Sequence, residues 1–255
     1  MTEPVTEPVT QPATEPVTES SARYAVDGVV FDMDGVIIDS RPVIENAWRE
    51  VARRHEVALD PATFEHYVHG RTGAETVRAL FPDHSHDQRM ALWKEVDQIE
   101  EEAAYEAIDG VCAFVRALDG LGVRLALATS SWPRKIDNAL GGLGLADAFA
   151  VRITRDDVSR GKPHPEPYLA AADALGIPAP RLLVFEDSTS GVRSATAAGA
   201  ITVGIGAANL TEVGAATTVA DFTPLKAVHE PTGTVRLEGT SAEIGIALLG
   251  ERTDA

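Results

Sequence analysis

The sequence predicts an α/β protein with a doubly wound, Rossmann-like parallel sheet as its core and an all-helical block inserted into it. Short apolar runs alternate with amphipathic helical stretches through most of the chain. Residues 42–107 interrupt this alternation with helical patterning alone. Strands that alternate with helices are typical of a parallel sheet covered by helices on both faces. With 255 residues, 44% of them apolar, the chain can bury a core of this size.

Four apolar runs have the length and composition of buried parallel strands. They span residues 25–32, 123–129, 181–187 and 201–205. The amphipathic stretches that predict helices span residues 111–121, 133–143, 165–175 and 190–198. We therefore predict that residues 23–41 and 108–229 form the α/β core domain.

The helical insertion, residues 42–107, leaves the core directly after the first predicted strand. Ligands of parallel sheets bind beyond the carboxyl ends of the strands. We therefore predict that residues 42–107 form a cap domain, which covers the site and excludes water from it. The acidic stretch at residues 95–106 predicts a solvated helix face within this cap.

The two ends of the chain do not show the alternation of predicted strands and helices that is found in the core. Residues 1–22 carry a TEPV-like repeat with a proline at every fourth position and almost nothing to bury, which predicts a disordered tail. Residues 230–255 form a C-terminal extension that we expect to be partly ordered. Within it, residues 234–238 suggest an edge strand and residues 242–249 a short helix.

The amino-acid composition limits the kinds of molecule that the protein is expected to bind. The chain has 22 Lys and Arg against 39 Asp and Glu, a formal net charge of −17. This charge repels nucleic acids and anionic membranes, so neither is an expected partner. The sequence has no apolar run long enough to span a bilayer, and its one cysteine, Cys112, excludes an intrachain disulfide. Its first residues include no basic region and no apolar stretch, so we do not expect them to be a secretory signal. We expect a cytoplasmic monomer, with a dimer as the alternative.

Asp32 and Asp34 follow the first predicted strand, and Gly35 lets the chain turn away from them. Residues two apart in an extended chain point the same way, so both carboxylates start on one face. Their joint ionisation is unfavourable unless a cation lies between them, and Mg²⁺ with its oxygen ligands is the natural choice. An ordinary turn at the strand end is the alternative for this pair alone.

Polar residues follow two further strands. Glu186 and Asp187 end the run at 181–187. Asp187 is a candidate metal ligand, which Glu186 would support without binding the metal directly. The alternative role for Asp187 is to cap the helix that follows. Thr129, Ser130 and Ser131 precede a helix that begins with proline, which is typical of a phosphate site at a helix N-terminus.

Lys162 lies between Gly161 and Pro163. The proline fixes the backbone that follows, and the glycine permits a close approach. Lys162 can therefore be held toward the acidic strand ends, where it would offset their charge and bind a phosphate.

Four segments together resemble the ordered motifs of the haloacid dehalogenase-like hydrolase superfamily. They are FDMDGVIIDS, the hydroxyls of ATSS, RGKPHPEP and VFEDSTSGV, and the resemblance covers about residues 26–205. The helical insertion after the first motif resembles the β-phosphoglucomutase-like branch, which contains many sugar and polyol phosphatases.

This resemblance implies a role for each matching residue. Asp32 would be the nucleophile that forms an aspartyl phosphate, and Asp34 the general acid and base. Mg²⁺ would be held by Asp32, the Asp34 carbonyl and Asp187, with Glu186 behind them. The residues implied to bind phosphoryl oxygens are Thr129, Ser130 and Lys162. Those implied to contact the rest of the substrate are Ser131 and the cap residues His69, Gly70 and Arg71.

Phosphatases and mutases both occur in this branch. Its mutases carry a histidine, a lysine and an arginine at the positions matching Ile44, His69 and Gly73, and this chain has none of the three. We therefore predict a magnesium-dependent phosphomonoester hydrolase that acts on a small phosphorylated metabolite, a sugar or polyol phosphate. A β-phosphoglucomutase-type mutase is the first alternative. A noncatalytic phosphometabolite-binding protein is the second, although such a protein would be expected to lose Asp32, Asp34 or Lys162.

Overall fold

A computed structural model describes residues 23–59, 61–68, 73–206 and 209–248. The predicted tail at residues 1–22 and the cap residues His69, Gly70 and Arg71 lie outside these ranges. The strands are β1 (Arg23–Val26), β2 (Gly28–Phe31), β3 (Ile38–Asp39), β4 (Glu106–Ala107), β5 (Leu125–Ala128), β6 (Val151–Ile153), β7 (Leu182–Glu186), β8 (Ile201–Ile205), β9 (Thr217–Val219), β10 (Lys226–His229), β11 (Thr234–Glu238) and β12 (Glu243–Ala247). The α-helices are α1 (Arg41–Arg54), α2 (Pro61–Val68), α3 (Gly73–Leu80), α4 (His86–Glu102), α5 (Val111–Gly120), α6 (Pro133–Leu143), α7 (Glu166–Leu175) and α8 (Thr189–Ala198).

The main sheet is parallel throughout and has the order β6-β5-β2-β7-β8-β9. Strand β2 is central, and every residue of β2, β5 and β7 is buried. Continuous burial explains why these strands read as uninterrupted apolar runs rather than as alternating ones. The predicted doubly wound α/β class is confirmed. The edge strands β6 and β9 were not predicted, because three residues are too few to give a clear pattern.

The first predicted strand is in fact two strands, which belong to different sheets. Strand β1 pairs with β12, whereas β2 pairs with β5 and β7. Asp27 lies between them, and its carboxylate accepts hydrogen bonds from Arg181 at 2.6 and 2.9 Å. The prediction of one strand over 25–32 was wrong in this respect, since a charged residue with its own partner interrupts the apolar run.

A second sheet of order β1-β12-β11-β10 contains the C-terminal segment. The predicted helix at residues 242–249 is wrong, because Glu243–Ala247 forms a strand. Ile244 and Ile246 are buried while their neighbours are not, which is the period-two burial of a strand with one covered face. Strand β11 has a partner on each side, so it is an interior strand and not the predicted edge.

Helices α1 to α4 bury an apolar cluster of their own, which includes Trp48, Phe64, Phe81 and Leu92. The two chain crossings between these helices and the main sheet lie side by side, because β3 pairs antiparallel with β4. A separate core reached through two adjacent crossings supports the predicted division into core and cap, which stays a prediction. We refer to α1–α4 as the cap helices.

Within the described part of the chain, none of the helices has the length and apolar character needed to cross a lipid bilayer.

Candidate active site

The candidate site lies on an aromatic floor at the carboxyl ends of β2 and β7. The rings of Phe31 and Phe185 are stacked with centroids 5.0 Å apart, and both side chains are fully buried. Asp32 directly follows Phe31, and Glu186 directly follows Phe185. The backbone N–H of Asp32 donates to the Phe185 carbonyl at 3.0 Å. The two carboxylates are therefore anchored at the ends of fully buried, close-packed strands.

Lys162 joins these two strand ends. Its Nζ lies 2.9 Å from Asp32 Oδ1 and 2.6 Å from Glu186 Oε1, and its side chain is only 6% exposed. The same Glu186 carboxylate accepts from Tyr168 and from both the backbone N–H and the hydroxyl of Ser188. Glu186 is therefore saturated with donors, which suits a residue that holds Lys162 in place rather than one that reacts.

The oxygens of Asp32, Glu186 and Asp187 lie within 4.8 Å of one another, which makes this group a possible metal site. Burial raises the pKa of Asp32 to about 7, with Glu186 adding to the rise and Lys162 opposing it. Burial and the charges of Asp32 and Glu186 raise the pKa of Asp187 to about 8. Carboxylates that repel one another in this way fit a hard divalent cation, which would remove the repulsion.

Gly35 makes the approach of Asp187 possible. A Cβ atom at this position would lie 2.0 Å from Asp187 Oδ2, and the φ angle of Gly35 is +77°. A side chain here would be strained by the backbone conformation and would also push Asp187 out of the cluster. The turn that follows Asp34 is therefore matched to the third carboxylate.

Asp34 faces a different set of partners. Ser131 Oγ donates to Asp34 Oδ2 at 2.7 Å, and Lys135 Nζ donates to Asp34 Oδ1 at 2.8 Å. Burial would raise the pKa of Asp34, but the charge and hydrogen bond of Lys135 and the hydroxyls of Ser131 and Ser40 outweigh it and hold the pKa below its ordinary value. The two neighbouring aspartates thus have opposite pKa shifts, and the partners of Asp34 favour its carboxylate form, the form that accepts a proton.

The predicted hydroxyls lie at the end of β5, the strand beside β2. Thr129 and Ser131 are buried, and the Ser131 N–H donates to Thr129 Oγ1 at 3.1 Å, while Ser130 is exposed. The described structure therefore brings Asp32, Asp34, Glu186, Asp187 and Lys162 together with this loop. Ser131, predicted as a substrate contact, is hydrogen-bonded to Asp34.

Sequence reasoning missed Lys135 and Glu100. The Lys135 Nζ lies 2.8 Å from Glu100 Oε2 as well as from Asp34, and both residues are buried. Two signals were available. Lys135 stands in the first turn of α6, where the helix dipole disfavours a cation. Glu100 continues the buried face of α4 formed by Leu92 and Val96, where an apolar residue is expected.

The prediction of a solvated acidic face at residues 95–106 is wrong for three of its acids. Asp97, Glu100 and Glu101 face the core instead, where they meet Arg155, Lys135 and Trp132. The Trp132 indole N–H donates to Glu101 Oε1 at 2.6 Å, and Arg155 Nη2 lies 3.3 Å from Asp97 Oδ2. Charge periodicity shows that such a face is polar but not whether a cationic surface opposes it.

Two of the three positions that distinguish mutases are described. Ile44 packs against the apolar cluster of the cap helices. A Cβ atom at Gly73 would lie 2.4 Å from Trp93 Nε1, so the indole ring occupies the space that a longer side chain would need. Trp93 therefore fills the space beside Gly73, the position that the sequence resemblance matched to an arginine of the mutases.

Comparison with known proteins agrees with this geometry. The family model for haloacid dehalogenase-like hydrolases matches residues 26–199. Validoxylamine A 7'-phosphate phosphatase of Streptomyces hygroscopicus subsp. limoneus is 34% identical over 179 residues, which cover 69% of this chain and 84% of that protein. Hexitol phosphatase A of Escherichia coli is 33% identical over 184 residues, covering 71% and 83%. The crystal structure of a β-phosphoglucomutase from Clostridium difficile shares the fold, with a TM-score of 0.67 at 22% identity, covering 79% of this chain and 93% of that one.

The fold, the site and these relatives together define a phosphatase. The chain belongs to the haloacid dehalogenase-like hydrolase family, and its fold is that of the β-phosphoglucomutase-like branch. The resemblance noted from the four sequence motifs is thereby confirmed.

Proposed function

We propose that this protein is a magnesium-dependent phosphatase that hydrolyses a small sugar or polyol monophosphate through an aspartyl phosphate on Asp32. The observation that most strongly supports this proposal is that carboxylate oxygens of Asp32, Glu186 and Asp187 lie within 4.8 Å of one another. The Lys162 ammonium lies beside them. Mg²⁺ would be held by Asp32, the Asp34 carbonyl and Asp187, and would supply neutralisation of charge on the phosphoryl group. We further propose a cytoplasmic location and a monomeric state, with a dimer as the alternative.

Asp32 would attack phosphorus as its carboxylate, forming a bond from its oxygen as the ester P–O bond breaks. Asp34 would give a proton to the departing alkoxide and later take one from the water that attacks the aspartyl phosphate, which releases phosphate and restores Asp32. Lys162 would bind the phosphoryl oxygens together with Thr129 and Ser130. The proposed substrate contacts are Ser131, His69, Gly70 and Arg71.

The substrate class rests on the two named relatives. One acts on validoxylamine A 7'-phosphate and the other on a hexitol phosphate, by their names. We propose a substrate of this kind, a hydroxyl-rich molecule with one phosphate. Water is the proposed acceptor because Ile44 and Gly73 replace residues of the mutases and Trp93 fills the space beside Gly73.

The test is phosphate release from glucose 6-phosphate, sorbitol 6-phosphate, glycerol 1-phosphate, phosphoglycolate and 4-nitrophenyl phosphate, with Mg²⁺ and with EDTA. We expect turnover that needs Mg²⁺ and is abolished by Asp32→Asn in a protein with an unchanged circular dichroism spectrum. Substantial turnover by that variant would contradict the nucleophile. Absence of turnover by the wild type on the whole panel would count against the phosphatase proposal and favour a binding protein. Isomerisation of glucose 1-phosphate to glucose 6-phosphate would favour a mutase.

A further inference from the structure

Lys135 is a buried cation between two parts of the fold. It belongs to helix α6 of the core, and 2% of its side chain is exposed. Its Nζ lies 2.8 Å from Asp34 Oδ1 on the core side and 2.8 Å from Glu100 Oε2 on cap helix α4. The aromatic rings of Trp132 and Tyr105 lie 5.5 and 5.6 Å from the same Nζ. The ammonium is thus enclosed by two acids and two ring faces, which leaves it one arrangement.

This placement is unfavourable for folding alone. A lysine loses its hydration on burial, and the first turn of α6 adds the positive end of a helix dipole. Replacement of a buried ion pair by apolar groups is often neutral or stabilising, so a buried salt bridge is weak evidence of a purely structural role. The observation that needs an explanation is that this cation lies on the carboxylate proposed as acid and base.

The Asp34 carboxylate is held at both of its oxygens. Lys135 donates to Oδ1 and Ser131 donates to Oδ2, and Ser40, which directly precedes cap helix α1, is a third hydrogen-bond partner of this carboxylate. A general acid must reach the leaving oxygen within hydrogen-bond distance, and a displacement of about 1 Å can reduce the rate about 10²-fold. Loss of Lys135 would remove the charged member of these three partners and leave Asp34 with two hydroxyl groups.

The position of Lys135 depends in turn on the docking of α4. Glu100 is held by its own helix, and the Tyr105 hydroxyl donates to the Glu100 carbonyl at 2.8 Å. Around this contact, Glu101 pairs with Trp132 and Asp97 with Arg155, as described above. Helix α4 therefore places three acidic side chains against cations and hydrogen-bond donors of the core. Among these three acids, Glu100 is the one that contacts the Lys135 ammonium beside Asp34.

We propose that Lys135 is a positioning residue that connects Asp34 to Glu100, so that the acid/base carboxylate takes its working orientation when cap helix α4 is docked on the core. This inference rests on the proposed phosphatase function and adds to it a link between the cap and the proton transfer. Lys135 itself touches neither substrate nor metal in this proposal and acts through Asp34.

The test uses leaving groups that differ in their need for a proton. Nitrophenolate leaves without an acid, whereas the alkoxide of a polyol phosphate needs one. The value of kcat/KM reports the steps up to formation of the aspartyl phosphate and therefore isolates the acid role of Asp34. The variants are Lys135→Met and Glu100→Gln, measured on 4-nitrophenyl phosphate and on the fastest alkyl monophosphate of the panel. The controls are Lys94→Met and Glu102→Gln, which make the same changes at exposed positions of α4.

We expect Lys135→Met to lower kcat/KM about 10²-fold for the alkyl phosphate, at the low end of the contribution of a positioned acid, and much less for 4-nitrophenyl phosphate. Glu100→Gln should show the same selectivity with a smaller loss, and the controls should stay within about twofold of wild type. Equal losses on both probes, or no loss on either, would overturn the inference. If Lys135→Met does not fold, the ratio of the two probes for Glu100→Gln decides. An inactive wild type would instead remove the proposed function on which the inference rests.

Discussion

Replacement of Asp187 by asparagine should stabilise the metal-free protein, although it should remove activity. Asp187 lies against Asp32 and Glu186, and burial and these two charges raise its pKa from 3.8 to about 8. At pH 7 the folded protein must therefore either protonate this group or hold a repelled anion. At about 1.4 kcal/mol per pKa unit, protonation at pH 7 costs up to about 4 kcal/mol relative to the unfolded chain, and the repelled anion costs more.

Asparagine has nearly the same shape and carries no charge, so it avoids most of this cost. Since the amide also loses hydration on burial, we expect a net gain of about 1 kcal/mol, which corresponds to a rise in Tm of about 2–4 °C. The assay is thermal unfolding by circular dichroism at pH 7, in EDTA and in Mg²⁺. Asp173→Asn is the matched control, because Asp173 is exposed on α7.

The same pKa shifts fix the sign of the pH dependence. A carboxyl group whose pKa is raised on folding binds protons more tightly in the folded state, so its contribution to stability is present at low pH and lost as pH rises through the folded value. In EDTA the wild type should therefore lose stability as the pH rises from about 4 to about 8, the interval between the unfolded and folded pKa values, and Asp187→Asn should lose less. Mg²⁺ should raise the Tm of the wild type and not that of the variant. A variant less stable than wild type in EDTA, or equally stabilised by Mg²⁺, would refute the reasoning.

Two further predictions concern other contacts of the site. Lys162→Met leaves the carboxylates of Asp32 and Glu186 without their shared cation, so the free energy of unfolding in urea should fall by about 3 kcal/mol. A loss well under 1 kcal/mol would show that the two ion pairs of Lys162 are dispensable for folding. Gly73→Ala forces a Cβ atom against the indole of Trp93, so the free energy of unfolding should fall by about 1–3 kcal/mol. If the contact is the cause, the same substitution should cost much less when it is made in a Trp93→Leu protein.

The carboxylates and the lysine could be placed from the sequence because a parallel sheet brings the carboxyl ends of its strands to one edge. Asp32, Asp187 and Lys162 each follow a recognisable apolar run or a constrained loop. Their convergence needs only the order of strands, which the alternation of elements gives. Side chains that belong to the sheet edge are therefore accessible to reasoning from the chain alone.

The contact between Lys135 and Glu100 lay beyond that reasoning because it depends on how α4 docks against α6. No local pattern fixes the relation of two helices that belong to separate apolar clusters. The prediction of a helix for the C-terminal segment was wrong for another reason. A run of about five apolar residues with one glycine fits a strand or a helix, and the partner β1 that decides the matter lies more than 200 residues earlier in the sequence.

The pairing of β1 with β12 has a consequence for the order in which the molecule forms. Arg23 is aligned with Glu243, so the second sheet joins segments from opposite ends of the sequence. During synthesis the cap helices and the main sheet, which end before β10, can assemble while β1 still lacks its neighbour. The pairing of β1 with β12 also joins the strands that lie farthest apart in the sequence of the described chain, and contacts of long sequence separation favour slow folding. Until β12 arrives, β1 lacks the one partner strand that it has in the described sheet, and an unpaired strand edge is where a nascent chain can associate with another chain.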